Sequence, residues 1–327
     1  MRLVGFAALA GLIACAGVAA PAGAVVIADG TPDSSYTALG NSFAYSSVGQ
    51  IYGTSASGAF AASGVMIAPD WVLTAGHVTA EATSLKFFTD AGGTNFSRAG
   101  AVAADAWYTN PGWTGNPTSG ADIALIHLSA DPSCIAAGSC QTAAIYTGAS
   151  ELNKIATMVG YGKTGTGSTG ATTFDGLKRA GHNKIDYAYG AHRDMLLADF
   201  DSGSSANNAT GSRKPVSMES IIAPGDSGGG LFELIGGVQY LTGITSFIAG
   251  ALDGNPDSDY GDVAGWTRVS DYASWIDGIV GPHSSNNAPG MFPTGTVVDV
   301  AVPEPATLAL LGLGLVVLGL ARRSRGN

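Results

Sequence analysis

The chain has 327 residues, of which 46% are hydrophobic, only 12% are charged, and 48 are glycine. This composition excludes a disordered chain and favours a turn-rich β protein with a large core. The formal net charge is −10, and no basic patch indicates nucleic acid as a partner, so the acidity is more typical of solubility outside the cell.

The first 24 residues have the layout of a secretory signal peptide. Arg2 supplies the positive end, residues 3–20 are apolar or small, and residues 22–24 read Ala-Gly-Ala, which is an A-x-A cleavage site. A permanent membrane anchor is the alternative, but the small residues at the end of the segment favour removal by signal peptidase. Cleavage after Ala24 would give a chain that begins at Val25.

Two candidate catalytic residues lie next to predicted strands in the first half. His77 follows strands at residues 65–67 and 71–74, and Asp122 opens the apolar run 122–128. An aspartate at the mouth of a buried run must be hydrogen-bonded to be tolerated, and a histidine is its natural partner. The alternatives are a structural histidine and a turn aspartate that caps a strand.

The cysteines predict one local disulfide. Cys15 leaves with the signal peptide, so Cys134 and Cys140 remain, within residues 129–150 that connect two halves of the chain. An even pair in an exported protein indicates a bridge, and two free thiols are the alternative.

The second half contains a serine among glycines, in residues 225–230. Glycine has no β-carbon, so the backbone can approach a substrate carbonyl closely, and two convergent N–H groups can stabilise an oxyanion. A serine hydroxyl is a poor nucleophile alone and requires a histidine base and an acid that orients the base. His77, Asp122 and Ser227 provide these three groups.

These motifs together resemble a known family. TAGH at residues 74–77, DIAL at 122–125 and GDSGG at 225–229 occur in the order found in trypsin/chymotrypsin-like serine proteases. The resemblance continues through residues 243–246 and 265–270 and covers roughly residues 36–280. It implies an all-β domain, residues 25–281, built from two packed antiparallel six-stranded β-barrels with a C-terminal helix.

The resemblance also implies roles for further residues. The N–H groups of Gly225 and Ser227 would form the oxyanion hole, and the backbone of Ser246 and Phe247 would pair with substrate. Ile221 would form the floor of the primary pocket, and Ile248 and Ala264 would form its walls. An isoleucine at the floor offers no carboxylate. Cleavage after Arg or Lys is therefore not expected, and small or medium apolar residues should be preferred. This chemistry requires no metal and no cofactor.

Activation in this family depends on a new N-terminus whose ammonium pairs with the aspartate before the catalytic serine, here Asp226. The only basic residue before this region is Arg2, so no tryptic activation site is visible. The sequence leaves open whether Val25, Ile27 or neither reaches Asp226.

One acidic loop has part of a calcium-binding pattern. Asp253, Asn255, Asp257 and Asp259 occupy alternate positions, as oxygen ligands do in calcium loops. Pro256 interrupts the pattern, and no glutamate stands at the twelfth position, so we interpret residues 251–262 as a solvated acidic loop, with calcium as the alternative.

The chain ends in a helix, a linker and a second targeting segment. Residues 271–280 read as a helix with Ser270 as N-cap and Gly281 as its stop, and residues 282–301 read as a linker. Residues 302–327 hold a Val-Pro-Glu-Pro motif, an apolar span at 306–321 and a basic tail at 322–325.

This tail resembles the PEP-CTERM sorting signal of Gram-negative bacteria. The resemblance implies transient insertion into the inner membrane, processing by an exosortase, and delivery to the cell surface or the extracellular polysaccharide matrix. A permanent C-terminal anchor is the alternative, because an apolar span of this length is marginal for crossing a membrane.

The sequence as a whole predicts an exported serine endopeptidase that acts on protein or peptide substrates through an acyl-enzyme. A catalytically inactive surface or matrix binding protein on a protease scaffold is the alternative. An esterase with the same triad ranks lower, because the glycine–serine context differs from the G-x-S-x-G elbow of α/β-hydrolases.

Overall fold

The computed structural model describes residues 24–89, 100–190 and 192–281. Within these residues the chain forms eighteen strands and four short α-helices. None of the described helices is long and apolar enough to cross a membrane. The predicted signal peptide, apart from Ala24, lies outside the described residues, as do the predicted linker and the sorting tail.

The first half is a closed six-stranded antiparallel barrel. Its strands are β2 (Val48–Ser55), β3 (Gly58–Ala68), β4 (Trp71–Thr74), β5 (Ala82–Phe88), β6 (Val102–Thr109) and β7 (Ala124–Leu128). The barrel closes in the order β2-β3-β4-β7-β6-β5. Every strand contributes to one apolar core cluster, which includes Val48, Ile51, Val65, Leu73, Leu85, Phe87, Leu125 and Ile126, with Val102 and Trp107 of β6 packed against it. The predicted barrel is therefore confirmed for this half.

The second half is built on an eight-stranded sheet rather than on six strands. The members are β8 (Ala144–Ile145), β9 (Ile155–Gly160), β12 (Arg179–Lys184), β13 (Tyr187–Tyr189), β14 (Met195–Asp199), β16 (Gly230–Ile235), β17 (Val238–Ala249) and β18 (Val263–Arg268). The main path is β12-β9-β16-β17-β18-β14-β13, and β8 pairs with β17. Gly236 and Gly237, both with positive φ, form the two-residue turn between β16 and β17.

A smaller four-stranded sheet ties the N-terminal segment to the strand before the glycine-rich loop. It contains β1 (Val26–Ile27), β10 (Thr164–Thr166), β11 (Gly170–Thr173) and β15 (Ser220–Ile221), in the order β11-β10-β1-β15. Val25 and Val26 are fully buried. The start of the predicted mature chain is thus part of the core of the second half.

The helices are short. They are α1 (Asp33–Gly40), α2 (Gly76–Thr79), α3 (Ser133–Ala136) and α4 (Ala273–Val280). The predicted C-terminal helix is present, but it begins at Ala273, because Val269–Tyr272 forms a 3₁₀ turn. Ser270 is not its N-cap, since the Ser270 hydroxyl donates to Glu151 instead. Gly281 ends the helix with a φ of 95°, as predicted.

The predicted disulfide between Cys134 and Cys140 is formed. It closes a short loop around α3, in the connection between the two halves.

Four carboxyl groups are clustered around the 200–217 loop of the second half: those of Asp186, Asp199, Asp201 and Glu219. Asp199, Asp201 and Glu219 are at most 6% exposed, and the Thr210 hydroxyl lies within hydrogen-bond distance of both Asp186 and Asp199. Burial raises the pKa of Glu219 to about 9, that of Asp201 to about 7 and that of Asp186 to about 6. The negative charges of their neighbours act in the same direction.

Because their pKa values are raised in the folded state, these groups lower the stability of the protein as pH rises, whereas a salt-bridged carboxylate raises it. The unfolded chain loses the Glu219 proton near its ordinary pKa of 4.5, whereas the folded chain retains it to about pH 9. The free energy of unfolding should therefore fall as pH rises through this range. We expect Glu219→Gln to raise it by on the order of 3 kcal/mol at pH 8 and to change it little at pH 4. Urea unfolding at the two pH values measures this, with exposed Glu81→Gln as the control; equal effects at both pH values would contradict it.

Candidate active site

Asp122 and His77 are directly hydrogen-bonded. Strands β4 and β7 pair with Thr74 opposite Ala124, so the end of β4 and the start of β7 bring the two residues together. Asp122 Oδ2 accepts from His77 Nδ1 at 2.8 Å, and Asp122 Oδ1 accepts from the His77 backbone N–H at 2.8 Å. Asp122 is fully buried, whereas the His77 side chain is 34% exposed. The carboxylate therefore fixes both the backbone and the ring, and Nε2 lies on the side of the ring away from Asp122.

The second half contributes two more hydrogen bonds to Asp122. Ser246 Oγ, on β17, donates to Asp122 Oδ2 at 2.5 Å, and Thr267 Oγ1, on β18, donates to the Asp122 backbone carbonyl at 2.9 Å. The carboxylate thus accepts three hydrogen bonds, which offset the cost of its burial. Asp122 is held jointly by the two halves of the chain.

The loop that carries Ser227 is fastened to the first half by Ser63 on β3. The Ser63 backbone N–H donates to the Ser227 carbonyl at 2.8 Å, and Ser63 Oγ donates to the Gly225 carbonyl at 3.1 Å. Ser63 Oγ also accepts from the Tyr161 N–H at 3.0 Å. One serine of the first barrel therefore bridges the Ser227 loop and the end of β9.

Gly228 brings this loop against the segment that leads to His77. Its φ is 81°, and a β-carbon there would lie 2.0 Å from Thr74 Oγ1 and 3.0 Å from the Ala75 nitrogen. Only glycine fits this approach. Its N–H donates to the Thr245 carbonyl, one residue before Ser246. The serine loop is thus packed between the neighbours of His77 and those of Asp122.

Ser227 and His77 are both partly open to solvent. No hydrogen bond joins Ser227 Oγ to His77 among the residues that the structure describes. The N–H groups of Gly225 and Ser227 likewise donate to no protein acceptor within the described ranges, although the neighbouring Asp226 and Gly228 N–H groups do. The two groups assigned to an oxyanion hole are therefore available to an external oxygen.

Asp226 is fully enclosed beneath this loop. Oδ1 accepts from the Gly162 N–H at 2.6 Å, and Oδ2 accepts from the Ala223 N–H at 2.8 Å. Glycine is required beside it, since a β-carbon on Gly160 would lie 2.2 Å from Oδ1. Burial raises the pKa of this carboxyl to about 7, although its N–H donors lower it, and the Val25 N–H lies close enough to lower it further. Val25 is thus the N-terminal residue that approaches Asp226.

The residues assigned to substrate binding fall into two groups. Ile221 and Ala264 are fully buried and pack in one apolar cluster with Trp266. Ile248, which lies opposite Ala264 across β17 and β18, packs against the same cluster and is half-buried. Phe247 is also half-buried, and its ring lies against Gly265. The apolar surface open to a ligand here therefore belongs to Phe247 and Ile248.

The acidic loop is only partly solvated. Asp257, Asp259 and Asp262 can each place a carboxylate oxygen within 4.8 Å of the others. Asp262 is 1% exposed and accepts from the Ser258 N–H at 2.7 Å. Burial, with the neighbouring carboxylates acting in the same direction, raises the pKa of Asp262 to about 7. Such clusters commonly occur without an ion, and we assign none to this loop.

Comparison with known proteins agrees with this geometry. The Trypsin family model matches residues 38–276. The chain belongs to the trypsin family. Among solved structures, this trypsin-family chain is similar to HL collagenase, with a TM-score of 0.55 and 20% sequence identity over 76% of this chain and 96% of that one. At this identity the likeness shows the fold alone. The model of the PEP-CTERM protein-sorting motif matches residues 301–325, which implies export and surface sorting in Gram-negative bacteria.

Sequence reasoning did not identify two residues of this trypsin-family site. Ser63 donates to the Gly225 carbonyl in the Ser227 loop, and Thr267 donates to the Asp122 carbonyl. The available signal was a buried polar residue within an otherwise apolar strand, since both are fully buried. Such a residue must find a partner, but the sequence does not say where.

Proposed function

We propose that this trypsin-family protein is an exported serine endopeptidase that uses His77, Asp122 and Ser227. The observation that carries the proposal is the buried Asp122 carboxylate, which holds His77 through two hydrogen bonds of 2.8 Å. Beside it lies the Ser227 loop, whose Gly225 and Ser227 N–H groups have no acceptor within the described residues. This arrangement suits acyl transfer to serine and then to water.

In the proposed mechanism His77 Nε2 takes the Ser227 proton as Oγ attacks the scissile carbonyl carbon. The N–H groups of Gly225 and Ser227 stabilise the resulting oxyanion. His77 then returns the proton to the leaving amine, and the acyl group remains on Ser227. Asp122 keeps Nδ1 protonated and stabilises the imidazolium. A water molecule, activated by His77, releases the acyl group and regenerates the enzyme.

A fluorophosphonate probe tests this proposal on a folded chain that begins at Val25 and ends at residue 281. We expect one covalent adduct at Ser227, located by peptide mass, and no adduct in Ser227→Ala. His77→Ala should strongly slow the labelling of Ser227 although the variant remains folded. A well-folded chain that begins at Val25 and is not labelled would instead favour the binding-protein alternative.

The proposed specificity is for small or medium apolar residues before the scissile bond. Ile221 is fully buried in the apolar cluster that also holds Trp266, and Ile248 packs against it. Ile221 offers no charge to a basic side chain, and Ile248, at the wall, would narrow the primary pocket.

Ile248→Gly should change this specificity. Removing the side chain opens space above Ala264, so cleavage after Phe or Leu should rise at least about tenfold relative to cleavage after Ala, since a few buried methylene groups give this much discrimination. Peptide-library profiling measures the ratio, with Ile155→Gly, an exposed isoleucine elsewhere in the second half, as control. A wild-type profile dominated by Arg or Lys would contradict the assignment of the pocket.

We also propose that the tail directs the enzyme to an exosortase after signal peptidase has acted at the N-terminus. The matched motif at residues 301–325 supports this. Residues 302–327 would then insert transiently into the inner membrane and be processed before release to the cell surface or matrix. Deleting these residues should leave labelling at Ser227 intact and change only where the protein accumulates, which cell fractionation measures.

A further inference from the structure

The turn before Asp122 has an unusual backbone. Ala121 has a φ of 57°, in the left-handed region that non-glycine residues rarely adopt, and Gly120 has a φ of 77°. Ala121 is 8% exposed, and its carbonyl accepts from the Ile123 N–H at 2.8 Å. Because the Asp122 carboxylate follows immediately, the conformation of this turn sets the direction from which Asp122 meets His77.

A tyrosine from the second half holds this turn. Tyr272 Oη accepts from the Ala121 N–H at 2.7 Å, across 151 residues of sequence. Tyr272 ends the 3₁₀ turn that follows β18 directly, and β18 also carries Thr267, which donates to the Asp122 carbonyl. The segment from Thr267 to Tyr272 therefore bonds to the Ala121 N–H and to the Asp122 carbonyl, which lie on either side of the Ala121–Asp122 peptide bond.

The buried carboxyl group of Asp194 packs against the same turn. Asp194 is 8% exposed, and a β-carbon on Gly120 would lie only 2.1 Å from Asp194 Oδ2, so the carboxyl packs directly on Gly120. The Asp194 carbonyl accepts from the Arg268 N–H at 2.8 Å, which ties it to β18. Burial and then the charge of Asp194 raise the pKa of Tyr272 to about 12. The protonated phenol keeps the lone pairs of its oxygen, so it can accept from Ala121.

We propose that Tyr272 and Asp194 are positioning residues for the triad, which hold the turn at residues 120–121 and thereby aim the Asp122 carboxylate at His77. They act through Ala121 and Asp122 rather than on substrate. The kinetic consequence rests on the proposed function. The structural consequence does not, because the hydrogen bond between Asp122 and His77 exists whether or not Ser227 reacts.

The test compares Tyr272→Phe and Asp194→Asn with the parent chain in two measurements. The first is steady-state hydrolysis of a peptide substrate, where we expect kcat to fall about tenfold while KM stays within about twofold. The second is the downfield proton signal of His77 Nδ1 in the NMR spectrum of each folded protein. It should weaken or move upfield in both variants, since it reports the bond to Asp122 directly.

A double variant separates positioning from general stability. Glycine adopts a positive φ without strain, so in an Ala121→Gly background the loss of kcat caused by Tyr272→Phe should shrink to less than about threefold. Tyr45→Phe is the matched control, because its buried phenol donates to Thr157 at 3.0 Å away from the site. It should lower stability similarly but leave kcat and the His77 signal unchanged.

The outcomes are distinct. An unchanged His77 signal in Tyr272→Phe, or an equal loss of kcat in Tyr45→Phe, would overturn the positioning role. If the parent chain does not react with the fluorophosphonate probe, the proposed function fails, and the His77 signal alone still decides this inference.

Discussion

Asp122→Asn is expected to lower kcat/KM about 10⁴-fold while the protein stays folded. The carboxylate oxygens of Asp122 accept three hydrogen bonds, from the His77 backbone, His77 Nδ1 and Ser246 Oγ. An amide has only one acceptor oxygen, so its NH₂ group must face at least one of these donors. His77 would then rotate or change tautomer, and Nε2 would no longer accept the Ser227 proton.

The measurement is kcat/KM on a peptide substrate, with thermal unfolding to verify the fold. Ser246→Ala is the matched variant, because it removes one donor and leaves the carboxylate. It should cost about tenfold. If Asp122→Asn cost no more than Ser246→Ala, orientation of His77 by Asp122 would not be the source of the activity.

The second large effect concerns the first residue of the mature chain. A chain that begins at Val25 should be active, whereas a chain in which Ala24 still precedes Val25 should be at least about a hundredfold less active. Only the first chain offers an α-ammonium to Asp226, which is fully enclosed and already approached by the Val25 N–H. Without that cation the buried carboxyl either takes up a proton or keeps its charge without an ammonium partner, and the Gly225–Ser227 backbone is less well held.

Fluorophosphonate labelling rates of the two chains, each verified by N-terminal sequencing, measure this difference. Asp226→Asn provides the control: it removes the charge, so both chains should then label equally slowly. Equal labelling of the two parent chains would show that activation does not depend on the N-terminus. The predicted cleavage after Ala24 would, on this account, make export and activation a single event.

Residue type and local order were enough to select the candidate catalytic motifs. TAGH, DIAL and GDSGG each sit at the junction of a strand and a turn, where backbone pattern and chemistry are both local. The barrel of the first half was expected from the resemblance to the trypsin family and not from any local pattern. The disulfide was predictable because Cys134 and Cys140 are close in sequence.

The parts that could not be predicted depend on contacts between distant residues. Tyr272 and Ala121 are 151 residues apart, and Ser63 and Gly225 are 162 apart. Hydroxyl groups of this kind give no local signal, because any of many backbone groups could be their partner. The eight-stranded second sheet was also not predictable, since Ala144 and Ile145 form only a two-residue strand beside β17.

The hydrogen bonds of Ser63 make the position of the Ser227 loop depend on the folding of both halves of the chain. Ser63 belongs to a strand of the first barrel, yet its backbone and hydroxyl fasten the loop of the second half that carries Ser227. A newly made chain therefore cannot fix the Ser227 loop in place until both halves have folded and met. During synthesis and translocation, this order of folding would add to the protection that the uncleaved N-terminus already gives the cell.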